Sequence, residues 1–356
     1  MNTIDLKSKL RYLTKTLVTR DFEQARNLIE SLAKSYNGDC PDILVQYAKR
    51  NGLAHIFYEV LQERGFANTK LAKALAIDAY LIYRRRKHRD ELLLNLVEVL
   101  EENGFDYVIF KTFNDLGIVD VDIDFLIRPK EYWNVVNTFL RDGFKPIDDL
   151  KKTYATGFMY GKNPIILDMH TEVTVLGAPY IDTEKLLEHK VRIKYKTESG
   201  EPINLYVLDI ATEALARVSH AIIKEAEIKI EDISEVLKAS EKCPSKLKKL
   251  VEEENLSPAL QIFTTKVRNE LGLSFHEING SSSSFASRAL QNMAHGGEGL
   301  PPYRLSRFLS IATLLYKMQR RKQVNLALKM ISSIKYRRNA AHIGGMIAKK
   351  LLEHYE

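Results

Sequence analysis

Asp120, Asp122 and Asp124 occupy every second position in the stretch IVDVDIDFLI, residues 118–127. Residues two apart share one face of a strand. The spacing therefore predicts three carboxylates on one side, with Val119, Val121, Ile123 and Phe125 on the other. Two unit charges about 4 Å apart repel by roughly 4 kcal/mol at an effective dielectric of 20, and Asp is a poor strand former. A hard divalent cation reverses the sign of that cost, since Mg²⁺ takes oxygen ligands, commonly one or two carboxylates together with substrate phosphates. Carboxylates at i and i+2 suit adjacent metals for phosphoryl or nucleotidyl transfer. Such a site needs a further carboxylate from a neighbouring strand. IILDMHTEV, residues 165–173, offers Asp168, with His170 on the same face and Glu172 next in line. The plainer alternative for both stretches is a half-buried strand with a wet outer face.

The surrounding pattern shows which elements must position these groups. Residues 1–100 place apolar side chains at three- and four-residue spacings and read as a helical N-terminal region, with Gly65 and Gly104 as helix stops. Residues 101–210 read as an α/β core. YVIF is a short buried strand, the Asp-rich stretch a second, and PKEYWNVVNTFLRDG a helix with Pro129 near its start. FMYGKNPIILDMHTEV reads as a hairpin turning at GKNP, and INLYVLD as a further strand. Residues 211–278 return to helix and pack on that core. Residues 279–302, with NGSSSS and HGGEGLPP, read as linker, and 303–356 as a basic helical C-terminal region. The fold class expected is α+β: a small mixed sheet flanked by all-helical regions on both sides.

This order resembles the nucleotidyltransferase fold shared by DNA polymerase β, CCA-adding enzymes and aminoglycoside nucleotidyltransferases. It is more closely similar to a nucleotidyltransferase family that carries a Lys-Gly pair, an Asp-x-Asp strand and an Asp-x-His strand. The matching residues are Phe110-Lys111, Asp122-Ile123-Asp124-Phe125-Leu126-Ile127 and Leu167-Asp168-Met169-His170, with His220-Ala221 and Asp232-Ile233 downstream. The likeness covers roughly residues 85–240. It implies that Asp122, Asp124 and Asp168 hold Mg²⁺ or Mn²⁺, and that Asp168 assists deprotonation of an attacking hydroxyl. It further implies that Lys111 approaches the triphosphate of an NTP, with Thr112 beside it, and that His170 orients Asp168 or contacts substrate. The implied reaction moves an NMP from the NTP to an acceptor hydroxyl of RNA, a protein or a small molecule. Read by themselves, His220 is a helix histidine that caps or packs, and Asp232 a solvated helix residue.

The chain departs from the pattern at Lys111-Thr112, where the family has Lys-Gly and the wider fold Gly-Gly or Gly-Ser. Glycine there lets backbone N–H groups approach phosphates closely. The arginine expected shortly before the Asp-x-Asp pair is also absent, with Ile118 and Val119 in its place. A second reading follows, in which the fold is catalytically degenerate and binds nucleic acid or a protein partner.

The 356 residues carry a formal net charge of +7, which favours an anionic partner. YRRRKHRDE at 83–91 and the segment after Pro302, with twelve Lys or Arg against two Glu, concentrate the charge. Arg84, Arg85, Arg320, Arg321, Lys322, Arg337 and Arg338 are the residues expected to contact nucleic acid, where Tyr beside Arg also permits stacking on bases. No run of eighteen apolar residues appears, so no membrane partner is expected. The N-terminus lacks a secretory signal pattern. Cys40 and Cys243 make no metal or redox spacing, which points to a cytoplasmic setting.

Overall fold

The computed structural model describes residues 3–36, 41–147, 155–175, 178–275 and 300–305, together with 310, 313, 314 and 317. Five helices come first: α1 (Thr3–Val18), α2 (Phe22–Ser35), α3 (Asp42–Arg50), α4 (Ala54–Glu63) and α5 (Lys70–Glu102). Their burial follows the helical spacing, as with Ala25, Ile29, Leu32 and Ala33 on α2. The Thr69 hydroxyl accepts the Ala72 N–H at the start of α5. Gly65 and Gly104 follow α4 and α5 with φ of +81° and +67°, the left-handed conformation that ends a helix without a Cβ penalty.

The core that follows is mixed α+β, as its sequence pattern implies. Its strands are β1 (Tyr107–Phe110), β2 (Asp122–Ile127), β3 (Phe144–Pro146), β4 (Ala155–Tyr160), β5 (Ile166–His170), β6 (Val173–Val175), β7 (Ala178–Ile181), β8 (Lys190–Lys196) and β9 (Pro202–Leu208). Helices α6 (Tyr132–Arg141) and α7 (Thr183–Glu188) lie among them, and α8 (Ile210–Ser219), α9 (Ile230–Lys242), α10 (Pro244–Glu253) and α11 (Ser257–Leu271) follow. Two-residue strands β10 (Glu227–Ile228) and β11 (Tyr303–Arg304) pair with one another. The main sheet runs β3-β4-β5-β2-β1-β9-β8. Its neighbours are antiparallel except β2 with β5 and β1 with β9. Among the described residues no helix is long and apolar enough to cross a membrane.

The sheet is covered on both sides. Ile109, Ile123 and Phe125 pack with Leu92 and Leu96 of α5 and Phe139 of α6. Val108, Phe110 and Leu126 face a second core shared with α1–α4 and α8–α11. β2 is therefore a central strand, with Ile123 to Ile127 all buried, and the alternative of a wet outer face does not hold for it.

Two strand readings need correction. β2 begins at Asp122, so Asp120 lies before the strand and faces Lys229 at 3.6 Å instead of extending the carboxylate row. IILDMHTEV divides after His170. Its last residues turn away to pair β6 with β7, and Glu172 is exposed and off the Asp168–His170 line. β8 is a further strand at the sheet edge, whose Lys190, Arg192, Lys194 and Lys196 alternate with Val191, Ile193 and Tyr195 and discourage edge pairing with another chain.

The loop between β1 and β2 is held from the helical side. Arg86 of α5 donates to the Gly117 carbonyl at 2.8 and 3.2 Å, and His55 of α4 donates to the Leu116 carbonyl at 3.2 Å. Gly117 sits at φ +63°, and a Cβ there would meet Arg86 Nη2 at 2.5 Å. Gly117→Ala should therefore cost about 1–2 kcal/mol, read as a lower midpoint in chemical denaturation. An unchanged midpoint would mean that Arg86 is not fastening this loop.

Candidate active site

The parallel register of β2 and β5 sets Asp124 directly beside Asp168 and Leu126 beside His170. Asp122 lies two residues before Asp124 on the same strand, hence on the same face. Asp124, Asp168 and His170 form a group whose ligand-capable atoms all lie within 4.8 Å of one another. The Asp122 carboxylate, expected from its sequence to share the metal, stands beside this group and outside it.

Asp124 is buried, and both its oxygens are engaged. Lys111 Nζ lies 2.8 Å from Oδ2, and His170 Nε2 donates to Oδ1 at 2.8 Å. The same His170 nitrogen is 3.1 Å from Asp168 Oδ2. Burial works against the Asp124 charge, but Lys111 and His170 outweigh it and hold the carboxyl well below its usual range. Burial likewise opposes a charged His170, yet the hydrogen bonds and charges of Asp124 and Asp168 raise its pKa. Asp122 has the opposite balance. Burial and then the charges of Asp124 and Asp120 push it up to about 6, with Lys111 only partly compensating. Among the described residues the Asp122 side chain has no hydrogen-bond or ion-pair partner.

Lys111 adopts the left-handed conformation, φ +58°, which is strained for a residue with a Cβ. Its backbone is clamped on both sides. The N–H donates to the two oxygens of Glu213 at 3.0 and 3.2 Å, and the carbonyl accepts from Arg217 Nη2 at 2.8 Å. Arg217 also donates to the Phe113 carbonyl at 2.9 Å and pairs with Glu213 and Asp232. This guanidinium is buried. Desolvation opposes its charge, but Glu213, Asp232, Glu235 and Glu231 more than offset it.

Two residues read as ordinary in the sequence belong to this assembly. His220 opens a π-helical turn, His220–Glu225, between α8 and β10. Its Nδ1 lies 3.3 Å from Lys111 Nζ and 3.3 Å from the Tyr180 hydroxyl. An ammonium only donates, so Nδ1 accepts and the ring proton sits on Nε2, which faces Glu225 at 3.6 Å. Burial, with Lys111 and Lys224 nearby, keeps His220 neutral far below its usual range. Asp232 is not a solvated helix residue. It accepts the Lys229 N–H at the start of α9 and faces Arg217 at 3.4 Å. The signals that could have found these residues were the His-Ala and Asp-Ile positions of the resemblance, and for Glu213 and Arg217 there was none.

Thr112 is buried, and its hydroxyl donates to the Phe110 carbonyl at 3.2 Å, turned into the chain. Arg84 and Arg85 are exposed on α5, with Arg84 over the Tyr80 ring at 5.9 Å. Arg320, Arg321, Lys322, Arg337 and Arg338 lie outside the described residues. A cavity of about 850 Å³ borders the β1–β2 loop, lined by Lys111, Phe113, Tyr195 and Glu213 but not by Asp122, Asp124 or Asp168. No protein-family model, curated protein or solved structure matches the chain.

The crowding at Asp122 has a measurable sign. Its folded pKa of about 6 lies above the ordinary 3.8. Without metal, this group's contribution is most favourable below the unfolded value and is lost as pH rises through 6. The loss should be roughly 2–3 kcal/mol. In chelator, Asp122→Asn should flatten the fall in stability between pH 4 and 7 seen in wild type. Denaturation midpoints across that range test it, and parallel slopes for the two proteins would refute the crowding.

Proposed function

We propose that this chain is a metal-dependent nucleotidyltransferase that moves an NMP from an NTP to an acceptor hydroxyl and releases pyrophosphate. The observation that carries this reading is the β2–β5 pairing, which gathers Asp122, Asp124 and Asp168 on one sheet face. The donor set fits Mg²⁺ or Mn²⁺: the carboxylates are hard oxygen ligands, and Asp122 is a crowded carboxylate without a cationic partner of its own. The order α5, β1, β2, α6, β5, with β2 antiparallel to β1 and parallel to β5, accords with the resemblance drawn from the sequence.

Asp122, Asp124 and Asp168 would hold the ion, which when bound supplies neutralisation of phosphate charge and activation of the attacking oxygen. Asp168 is the more open of the two paired carboxylates, its side chain 28% exposed against 11% for Asp124. It is the better placed to accept a proton from the acceptor hydroxyl. His170 bridges Asp124 and Asp168 and fixes their mutual orientation. Lys111 is the near cation for the triphosphate. Thr112, with its hydroxyl on Phe110, leaves that task to Lys111. The work is positioning and charge compensation, as in other phosphoryl transfers. A cytoplasmic setting accords with the lack of a disulfide spacing.

A specific observation favours a second reading. The Lys111 N–H is already taken by Glu213, so one backbone donor that could cradle phosphate is engaged. On that reading the fold is retained for binding nucleic acid through Arg84, Arg85 and the basic C-terminal segment, or for binding a protein partner.

Label transfer separates the two. The protein is incubated with each α-³²P-labelled NTP, Mg²⁺ or Mn²⁺, and cellular RNA, protein or small-molecule extract. Wild type is expected to move label that the Asp122→Ala/Asp124→Ala variant does not. Asp168→Ala should reduce transfer by about 10²-fold or more. No label in any fraction would leave the binding reading in possession.

A further inference from the structure

We infer that Lys111 is the site's own counter-cation, exchanged for a divalent ion when one binds and then handed to the polyphosphate, and that His220 is the positioning residue that keeps it poised. The inference rests on the metal-dependent reading and adds to it an order of events and a residue outside the carboxylate cluster.

Each oxygen of Asp124 already accepts from one N–H and keeps a further lone pair. A divalent ion that takes it lies within a few ångströms of the Lys111 ammonium or the His170 N–H, and one of the two gives way to the new charge. His170 is a buried ring on the adjacent strand, tied to Asp168 as well as Asp124 and packed edge-on against Phe110 at 5.6 Å. Lys111 carries its charge on a flexible four-carbon stem. The lysine is the group that yields.

Its surroundings permit that motion and little else. Glu213 and Arg217 clamp the Lys111 backbone on both sides, so the stem pivots about an anchored Cα. The ammonium lies among Asp124 Oδ2 at 2.8 Å, His220 Nδ1 at 3.3 Å and the Phe110 ring at 5.1 Å. Only Asp124 among these carries a full negative charge. His220 is held in turn by Tyr180, so it offers Lys111 a neutral lone pair without competing for Asp124.

Charge decides the exchange. One ammonium leaves Asp122 uncompensated. A divalent ion at the same carboxylates neutralises more of the cluster, and it repels the lysine it displaces. An ammonium so displaced, beside a metal, has an obvious partner in an anionic phosphate chain. Metal and polyphosphate binding are then coupled through Lys111, each favouring the other.

The test uses Mn²⁺ and inorganic pyrophosphate as probes, with full-length protein and calorimetric titration. Without an intrinsic competitor, Lys111→Met should bind Mn²⁺ alone about tenfold more tightly than wild type. At saturating Mn²⁺ it should bind pyrophosphate about tenfold more weakly. Lys111→Arg, which keeps the charge, should stay near wild type for Mn²⁺. His220→Phe, which removes the neutral acceptor and leaves Asp124 intact, should tighten Mn²⁺ by a few-fold. Simple damage to the fold would weaken it instead. Mn²⁺ affinity unchanged or lower in both Lys111→Met and His220→Phe, with wild-type binding that Asp124→Asn abolishes, would overturn the exchange and leave the metal reading standing. Undiminished pyrophosphate binding in Lys111→Met would overturn the hand-over. Absence of Mn²⁺ binding in wild type and Lys111→Met alike would overturn the metal reading and the exchange together.

Discussion

A carboxylate taken out of water must find cations or lose its charge, and the Asp124 carboxylate is where this chain meets that requirement. It sits on the central strand, beneath helices on one face and beside Asp168 on the other strand. The groups that answer it come from three directions. Lys111 reaches over from the end of β1, His170 from β5, and His220 supports Lys111 from beyond α8. Removing any one leaves a buried charge or a buried donor without its partner, which is why the elements carrying them cannot shift independently.

Arg217 carries the same logic one layer further out. A buried guanidinium is tolerated when several acceptors surround it, and here the acceptors are the carbonyls of Lys111 and Phe113 and the carboxylates of Glu213 and Asp232. One side chain thereby ties the β1–β2 loop to α8 and α9. Arg86 and His55 tie the same loop to α5 and α4. The loop preceding the carboxylate strand is thus gripped by both helical regions, and positional precision at Asp122 and Asp124 depends on helices far from them in sequence.

The strands that matter most were legible because their patterns are local. YVIF, DIDFLI, the hairpin around GKNP and INLYVLD all declare themselves by apolar runs or alternation, and the Asp122–Asp124–Asp168 grouping follows from period two plus one strand pairing. Where strands stop is a tertiary matter. Asp120 and Glu172 fit the alternation, but the chain leaves the sheet before the first and after the second. Glu213, Arg217 and His220 were beyond reach for a different reason. They join the site across about a hundred residues, and nothing in their own neighbourhood marks them as different from other helix side chains. The cationic run at 83–91 divides for a similar reason: Arg84 and Arg85 face solvent, while Arg86 and Arg89 are spent on Gly117 and on Asp90 and Tyr195.

The strain at Lys111 decides where its ammonium points. Phe110 pairs with Asp124 across β1 and β2, so both project from the same face of the sheet. Strict alternation would send the next residue, Lys111, to the opposite face, against α5. A left-handed φ at Lys111 breaks the alternation at that one residue and lets its ammonium return above the Phe110 ring to Asp124. A non-glycine residue in this conformation costs about 1–2 kcal/mol, and Glu213 and Arg217 supply the hydrogen bonds that hold it there. The turn thus falls on the lysine itself, and Thr112 is free to be β-branched and buried because it does not have to make the turn.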